Sequence, residues 1–200
     1  EALYTKSGLV TANEIHVPAG KKLLIQFNSD DVIHSWWIPT LGRKMDLVPG
    51  MDNYLTLTVK EQGEYWGSCS EFCGAQHGWM RIRLLAHSFE DFQKWEQEKL
   101  KPTPVVRDKL YRKGQRLFAT KTCTNCHAVI STDQTPDVGP NLAHFAGREY
   151  FLSNIKRNTR ANLEAWLRNP QEVKSSAKMP NMFLDDEELN ALVHYLENLK

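Results

Sequence analysis

All four cysteines of this 200-residue chain fall in two short segments, Cys69-x3-Cys73-x3-His77-x2-Met80 and Cys123-Thr124-Asn125-Cys126-His127. None is left over for a structural disulfide, so the fold must bring each segment's donor atoms to a point of its own. The second segment is the attachment sequence for a c-type haem, with two thiols for the vinyl groups and an adjacent histidine for the iron. The first packs two thiols, an imidazole and a thioether into twelve residues, a soft donor set that favours copper. Two redox metals without evident substrate machinery point to electron transfer.

A single-copper site needs one Cys, two His and a weak axial ligand. Here Cys69 and Cys73 can face one point across a tight turn, and two thiolates can each bridge two coppers. Each copper then needs one more strong donor. His77 is one, and His34, at the end of a strand-like segment before Ser35-Trp36-Trp37-Ile38-Pro39, is the natural other. Met80 offers a thioether to one copper, and a backbone carbonyl could balance the other. One Zn²⁺ held by His34, Cys69, Cys73 and His77 competes with this reading but leaves Met80 unused. A Cys69–Cys73 disulfide would belong to metal-free protein. His16 and His87 read as ordinary framework residues, and core packing is the expected role for most of Trp36, Trp37, Trp66 and Trp79.

Organisation follows the hydrophobic pattern. Residues 23–27, 54–59 and 80–86 are short β-rich runs bounded by Pro/Gly turns, which predicts a β-sandwich over residues 1–100 with residues 69–80 as a loop between two strands. Residues 89–100 read as a helix. Lys101-Pro102-Thr103-Pro104-Val105-Val106 is the expected tether, because two prolines bias it to extended conformations. Residues 107–200 then turn helical, with helices expected over 108–120, 149–158, 160–169 and 185–199; Asp185 is an N-cap candidate, with Glu188 three residues on. The overall charge of +1 hides an asymmetry: residues 1–100 hold 10 Lys+Arg against 13 Asp+Glu, and residues 101–200 hold 15 against 11. Such a contrast would steer docking and partners by field. No run of eighteen or more apolar residues suggests a membrane span, and no nucleic-acid partner is expected.

At Asp31 through Trp36, Leu41 through Gly50 and Cys69 through Met80, residues 9 to about 96 resemble the CuA cupredoxin domain of subunit II of haem-copper cytochrome c oxidases. The resemblance implies a two-copper CuA centre ligated by His34, Cys69, Cys73, His77 and Met80, with the Glu71 carbonyl as sixth donor. It also implies that the Glu71 carboxylate helps hold a non-redox Mg²⁺ at the interface with subunit I, and that His77 lies on the exit route to haem a. Residues 107–200 resemble a class I cytochrome c. In that family the Met of a step such as Lys178-Met179-Pro180 is the distal ligand opposite His127, which makes Met182 the rival. The Pro140 carbonyl of Val138-Gly139-Pro140-Asn141-Leu142 is expected to accept the His127 Nδ1–H, and His144 and His194 are not expected to be ligands.

The order of the domains resembles subunit II of the caa-type oxidases. This implies a cupredoxin-like β-sandwich followed by an all-α cytochrome c domain, in an electron-transfer subunit with no catalytic site of its own. Electrons would come from an upstream cytochrome c or quinol-oxidising complex and leave to subunit I. Family members carry two transmembrane helices upstream, so a soluble fragment is expected, its parent anchored at the extracytoplasmic face of the bacterial cytoplasmic membrane. Thioether attachment of haem agrees with that compartment. Other classes remain: the copper domain of a nitrous oxide or nitric oxide reductase, a copper-handling protein, which gives no reason for a haem, and a free-standing soluble carrier.

Overall fold

A computed structural model of the chain describes residues 1–104, 106, 108–135 and 138–200. It divides into two compact units: Asn13–Gln97 with Leu152–Ile155, and Glu1–Ala12 with Glu98–Phe151 and Lys156–Lys200. The expected first domain began at residue 1, yet the first twelve residues cluster with the second unit. They form a hairpin of β1 (Ala2–Tyr4) and β2 (Leu9–Thr11). Leu9 and Val10 are 0% and 4% exposed, and the Val10 N–H donates to the Ser131 carbonyl at 2.7 Å. A solvated leader would leave that apolar pair in water, and burial of each is worth about 1.5–3 kcal/mol. Val105 of the expected tether, and Arg107 at the expected start of the second domain, lie outside the described residues.

The first unit is a β-sandwich. Strands β3 (Ile15–Pro18), β5 (His34–Trp37), β6 (Met45–Leu47), β8 (Gly63–Cys69) and β9 (Arg81–His87) make one sheet in the order β3-β9-β8-β5-β6. Within it β3 and β9 run parallel and the other pairs antiparallel. Strands β4 (Lys22–Phe27) and β7 (Asn53–Thr58) pair antiparallel in a second sheet. Alternation selects the inward face: Leu55 and Leu57 are buried while Tyr54, Thr56 and Thr58 flank them on the outer side. Val17, Phe27, Trp36, Ile38, Leu55, Leu57, Val59, Leu84 and Ala86 form the core, with Phe27 and Trp36 in ring contact at 5.5 Å. Of the four tryptophans expected mostly in the core, only Trp36 is buried; Trp66 and Trp79 are 41% and 40% exposed. Trp66 instead carries the Arg83 guanidinium over its ring at 5.7 Å. Helix α1 (Phe89–Leu100) follows β9, its first turn capped by the Ser88 hydroxyl, which accepts from the Asp91 N–H. His16 and His87 form a framework pair: their ring nitrogens lie 2.8 Å apart, and Trp95 of α1 stacks on His16 at 4.0 Å.

The second unit is helical around α2 (Lys109–Thr120) and α5 (Asp186–Leu196), with α3 (Arg160–Arg168) and the short α4 (Pro170–Val173) between them. Asp108 caps α2, and Asp185 with Glu188 completes the expected capping box on α5. Tyr195 of α5 packs its ring against Tyr111 and Phe118 of α2. The helix expected over 149–158 is not formed. Strands β10 (Tyr150–Phe151) and β11 (Lys156–Arg157) take its place, around a turn in which Leu152, Ser153 and Asn154 all have positive φ. A left-handed run cannot continue a right-handed helix. Ser153 and Asn154 also find partners outside the segment, donating from main chain and side chain to the Asn13 side-chain and main-chain oxygens at 3.1 and 2.7 Å. Among the described residues no helix is long and apolar enough to cross a membrane.

Gly114 is where α2 and α5 meet. A Cβ there would lie 2.1 Å from the Ala191 carbonyl oxygen and 2.6 Å from Tyr195 Cβ, so the helices can approach only over a glycine. Gly114→Ala should therefore destabilise the second unit by about 1–3 kcal/mol through overpacking. Thermal unfolding followed on that unit's aromatic signal should show a lowered midpoint, while unfolding of the β-sandwich stays in place.

Candidate metal centres

The first centre is assembled by three strand ends. Cys69 closes β8, Met80 immediately precedes β9, and the Cys69 N–H donates to the Met80 carbonyl at 3.0 Å, sealing the base of the loop between them. Inside the loop His77 opens a short 3₁₀ turn, entered through Gly74 at φ 110°, whose carbonyl accepts the His77 N–H at 3.0 Å. His34 starts the neighbouring strand β5, and the Ser70 N–H to Ser35 carbonyl bond at 2.9 Å fixes it beside the loop.

The donor atoms converge. Cys69 Sγ and Cys73 Sγ are free thiols 3.8 Å apart, a separation that metal bonds of about 2.3 Å to each sulfur can span. His34 Nδ1 lies 3.9 Å from Cys69 Sγ, and His77 Nδ1 lies 3.6 Å from Cys73 Sγ. Met80 Sδ is 3.3 Å from Cys73 Sγ, and the Glu71 carbonyl oxygen is 3.2 Å from Cys69 Sγ. The structure thus gathers all six residues singled out in the sequence, with one imidazole beside each sulfur. Two thiols, two imidazoles, a thioether and a carbonyl are a soft, largely neutral set that suits copper. Around it Phe72 is 77% exposed, with its ring tilted against that of His77 at 5.7 Å.

Electrostatics prepare these donors. The Asp31 carboxylate accepts from His34 Nε2–H at 2.8 Å, so the proton sits on Nε2 and the Nδ1 lone pair faces Cys69. That bond first, and the Val32 N–H next, holds the Asp31 carboxyl down at about 2. Burial, then the neighbouring Cys69 thiol, pushes the Cys73 thiol up to about 11. Asp31 was not singled out from sequence; its spacing, three residues ahead of His34, is the signal that could have found it.

The second centre is more local. Cys123 opens a 3₁₀ turn, entered through Thr122 at φ 60°, and the His127 N–H bonds back to the Cys123 carbonyl at 2.9 Å. His127 Nδ1 donates to the Pro140 carbonyl at 2.8 Å, which leaves Nε2 as the free lone pair for a metal. Burial lowers the His127 pKa, and the Pro140 contact opposes it. Gly139 makes this approach possible: a Cβ there would stand 2.6 Å from His127 Cε1. Two thiols beside a neutral, oriented imidazole fit a covalently held haem. Met179 and Met182 are both half-buried between α4 and α5, and the Met179 carbonyl accepts from Gln171 Nε2 at 2.6 Å. His144 and His194 have other partners, the Lys99 carbonyl at 2.8 Å and the Asp108 carboxylate at 3.0 Å.

The comparisons follow this division. The family described as "Cytochrome C oxidase subunit II, periplasmic domain" matches residues 4–86, and the family "Cytochrome c" matches residues 111–200. Cytochrome c oxidase subunit 2 of Alkalihalophilus pseudofirmus is 33% identical over 198 residues, or 98% of this chain. That of Bacillus subtilis is 34% identical over 208 residues, again 98% of this chain. The chain joins a domain of the subunit II periplasmic-domain family to a domain of the cytochrome c family, in the fold class expected from sequence. The chain spans 57% and 58% of the length of these two relatives. Among solved structures, the periplasmic domain of subunit II (CoxB) of Bradyrhizobium japonicum is similar at 33% identity, over 44% of this chain and 63% of that one, with a TM-score of 0.42.

Two outcomes are expected of the first centre. Copper uptake must displace the proton held by Cys73, so apparent copper affinity should rise steeply with pH between 6 and 8, with about one to two protons released per centre formed. Titration in weakly buffered indicator solution measures the release. Asp31→Ala frees the His34 ring to rotate and should weaken copper binding about 10–100-fold in a chelator competition, with haem content unchanged.

Proposed function

We propose that this chain is the electron-accepting arm of a terminal haem-copper oxidase. When bound, a haem c and a binuclear copper centre would supply successive one-electron relays, from an external donor towards haem a of the catalytic subunit. The convergence of two free thiols, two imidazoles, a thioether and a carbonyl at one strand-end loop is the observation that carries this reading. Its own role is conduction; oxygen chemistry would belong to subunit I.

In this reading Cys69, Cys73, His34 and His77 would hold the copper centre as its strong donors, with Met80 and the Glu71 carbonyl as weak ones, and the centre would supply a one-electron relay. His34 and Cys69 are held by strand pairing, and His77 and Met80 by main-chain bonds within the loop, a frame that would change little between oxidation states and keep reorganisation small. Cys123 and Cys126 would hold the haem through thioethers, with His127 as its proximal ligand and Met179, ahead of Met182, as its distal one. His/Met ligation raises the haem potential relative to two histidines. The Glu71 carboxylate helps hold Mg²⁺ against subunit I. The parent protein works at the extracytoplasmic face of the bacterial cytoplasmic membrane, anchored by helices upstream of this sequence. Its donor is a cytochrome c or a quinol-oxidising complex. Residues 13–97 serve as the copper domain, residues 101–106 as the tether, and residues 107–200 with the hairpin of residues 1–12 as the haem domain. The tether replaces a diffusional encounter with an intramolecular one at about millimolar effective concentration.

Metal analysis of the loaded protein should give two coppers to one haem, with an electron-spin signal shared over both coppers. Cys69→Ser or Cys73→Ser should abolish that signal and leave the haem spectrum intact. Met179→Ala should alter the low-spin haem spectrum alone. A localised four-line copper signal, or zinc at full occupancy, would reject the bridged centre, and an unchanged haem spectrum would move the distal role to Met182.

A further inference from the structure

The peptide group joining Pro140 to Asn141 is hydrogen-bonded at both ends. Its carbonyl accepts the His127 Nδ1–H at 2.8 Å, and its N–H donates to the Glu1 carboxylate. Glu1 is placed there by the hairpin: Ala2 pairs with Thr11, and Val10 is bonded to Ser131 at 2.7 Å. We propose that Glu1 is a positioning residue for the haem histidine, acting through the Pro140–Asn141 peptide to strengthen the His127 Nδ1–H bond and hold the haem at a lower reduction potential. This rests on the reading of His127 as an axial ligand of a covalently bound haem.

The physical argument is polarisation. A hydrogen bond to a carboxylate is charge-assisted, roughly twice as strong as one between neutral groups. Peptide resonance couples the N–H to the carbonyl oxygen, so negative charge at Glu1 makes that oxygen a better acceptor. A better acceptor at Nδ1–H makes Nε2 a stronger donor to iron, which favours the ferric state. The direct field of the carboxylate acts in the same direction, because ferric haem carries one more positive charge than ferrous.

Glu1 contributes charge more than shape. The Asn141 side chain already fixes the loop, donating to the Ile130 and Asp133 carbonyls at 2.8 and 2.9 Å and accepting the Ala143 N–H at 2.8 Å. Arg148 adds bonds to the Asn141 and Ala143 carbonyls at 2.6 and 2.8 Å, and its positive charge opposes that of Glu1. The ferric–ferrous balance of this centre is therefore set between a carboxylate on the Asn141 N–H and a guanidinium on the Asn141 carbonyl.

The test uses the full 200-residue chain with haem attached, comparing wild type with Glu1→Gln, Glu1→Ala and Glu1→Asp. Glu1→Gln keeps an acceptor and loses the charge. It should shift the ferric–ferrous equilibrium about three- to tenfold toward ferrous, tenfold being about 59 mV for one electron. The His127 Nδ1–H proton resonance of the ferrous protein should move upfield, and Glu1→Asp should restore both signals toward wild type. An unchanged potential and resonance in Glu1→Gln would overturn the proposal, as would a lowered unfolding midpoint with the potential unmoved. Absence of covalent haem in the wild-type protein would instead reject the functional reading on which it rests.

Discussion

The copper site of this protein depends on one main-chain bond, from the Cys69 N–H to the Met80 carbonyl. It ties the last residue of β8 to the residue before β9, so the antiparallel pairing of those strands fixes both ends of an exposed loop. Everything between, Glu71, Cys73 and His77, is then a short excursion with little freedom to spread. Pairing of Trp36 with Cys69 extends the same control sideways, because it sets His34 two residues earlier at the rim of the neighbouring strand. A one-residue slip would turn Cys69 to the opposite face of the sheet, so register and metal geometry are one constraint.

That frame brings together groups that oppose one another without a metal. Thiols 3.8 Å apart cannot readily both ionise, and burial first, then this neighbour, raises Cys73 to about 11. The sheet, with its dry core behind Trp36, holds them there anyway. Metal binding resolves the conflict, so part of its free energy is returned as stability of the loop.

Sequence reached far where chemistry is coded by residue type and failed where it is coded by tertiary partners. Cys69, Cys73, His77 and Met80 were legible because few soft donors recur at such spacing by chance, and His34 because a second imidazole had to come from another strand. The Pro140 acceptor, the Asp185 cap and the alternation of β7 were legible for similarly local reasons. The helix expected over 149–158 was not, because Ser153 and Asn154 answer to Asn13, some 140 residues away in sequence. The placement of residues 1–12 was hidden for the same reason: three-residue strands give no period to read, and their partners, Ser131 and Asn141, lie far along the chain. Gly114 and Gly139 look like any other glycines until a helix or an imidazole is seen against them.

The two candidate ligand histidines present different ring nitrogens, and the contrast shows how the fold assigns electronic character. His34 presents Nδ1 because a carboxylate, Asp31, claims its Nε2–H. His127 presents Nε2 because a carbonyl, Pro140, claims its Nδ1–H. A carboxylate partner makes an imidazole the stronger donor. A carbonyl partner is milder, and it leaves room for adjustment by charges placed one bond further out, where Glu1 and Arg148 meet Asn141. In the proposed function the fold sets His34 by direct contact and His127 by relay. Substitutions outside the immediate ligands should then be felt at the haem through Asn141 and its partners, and at the copper through Asp31 and the strand register.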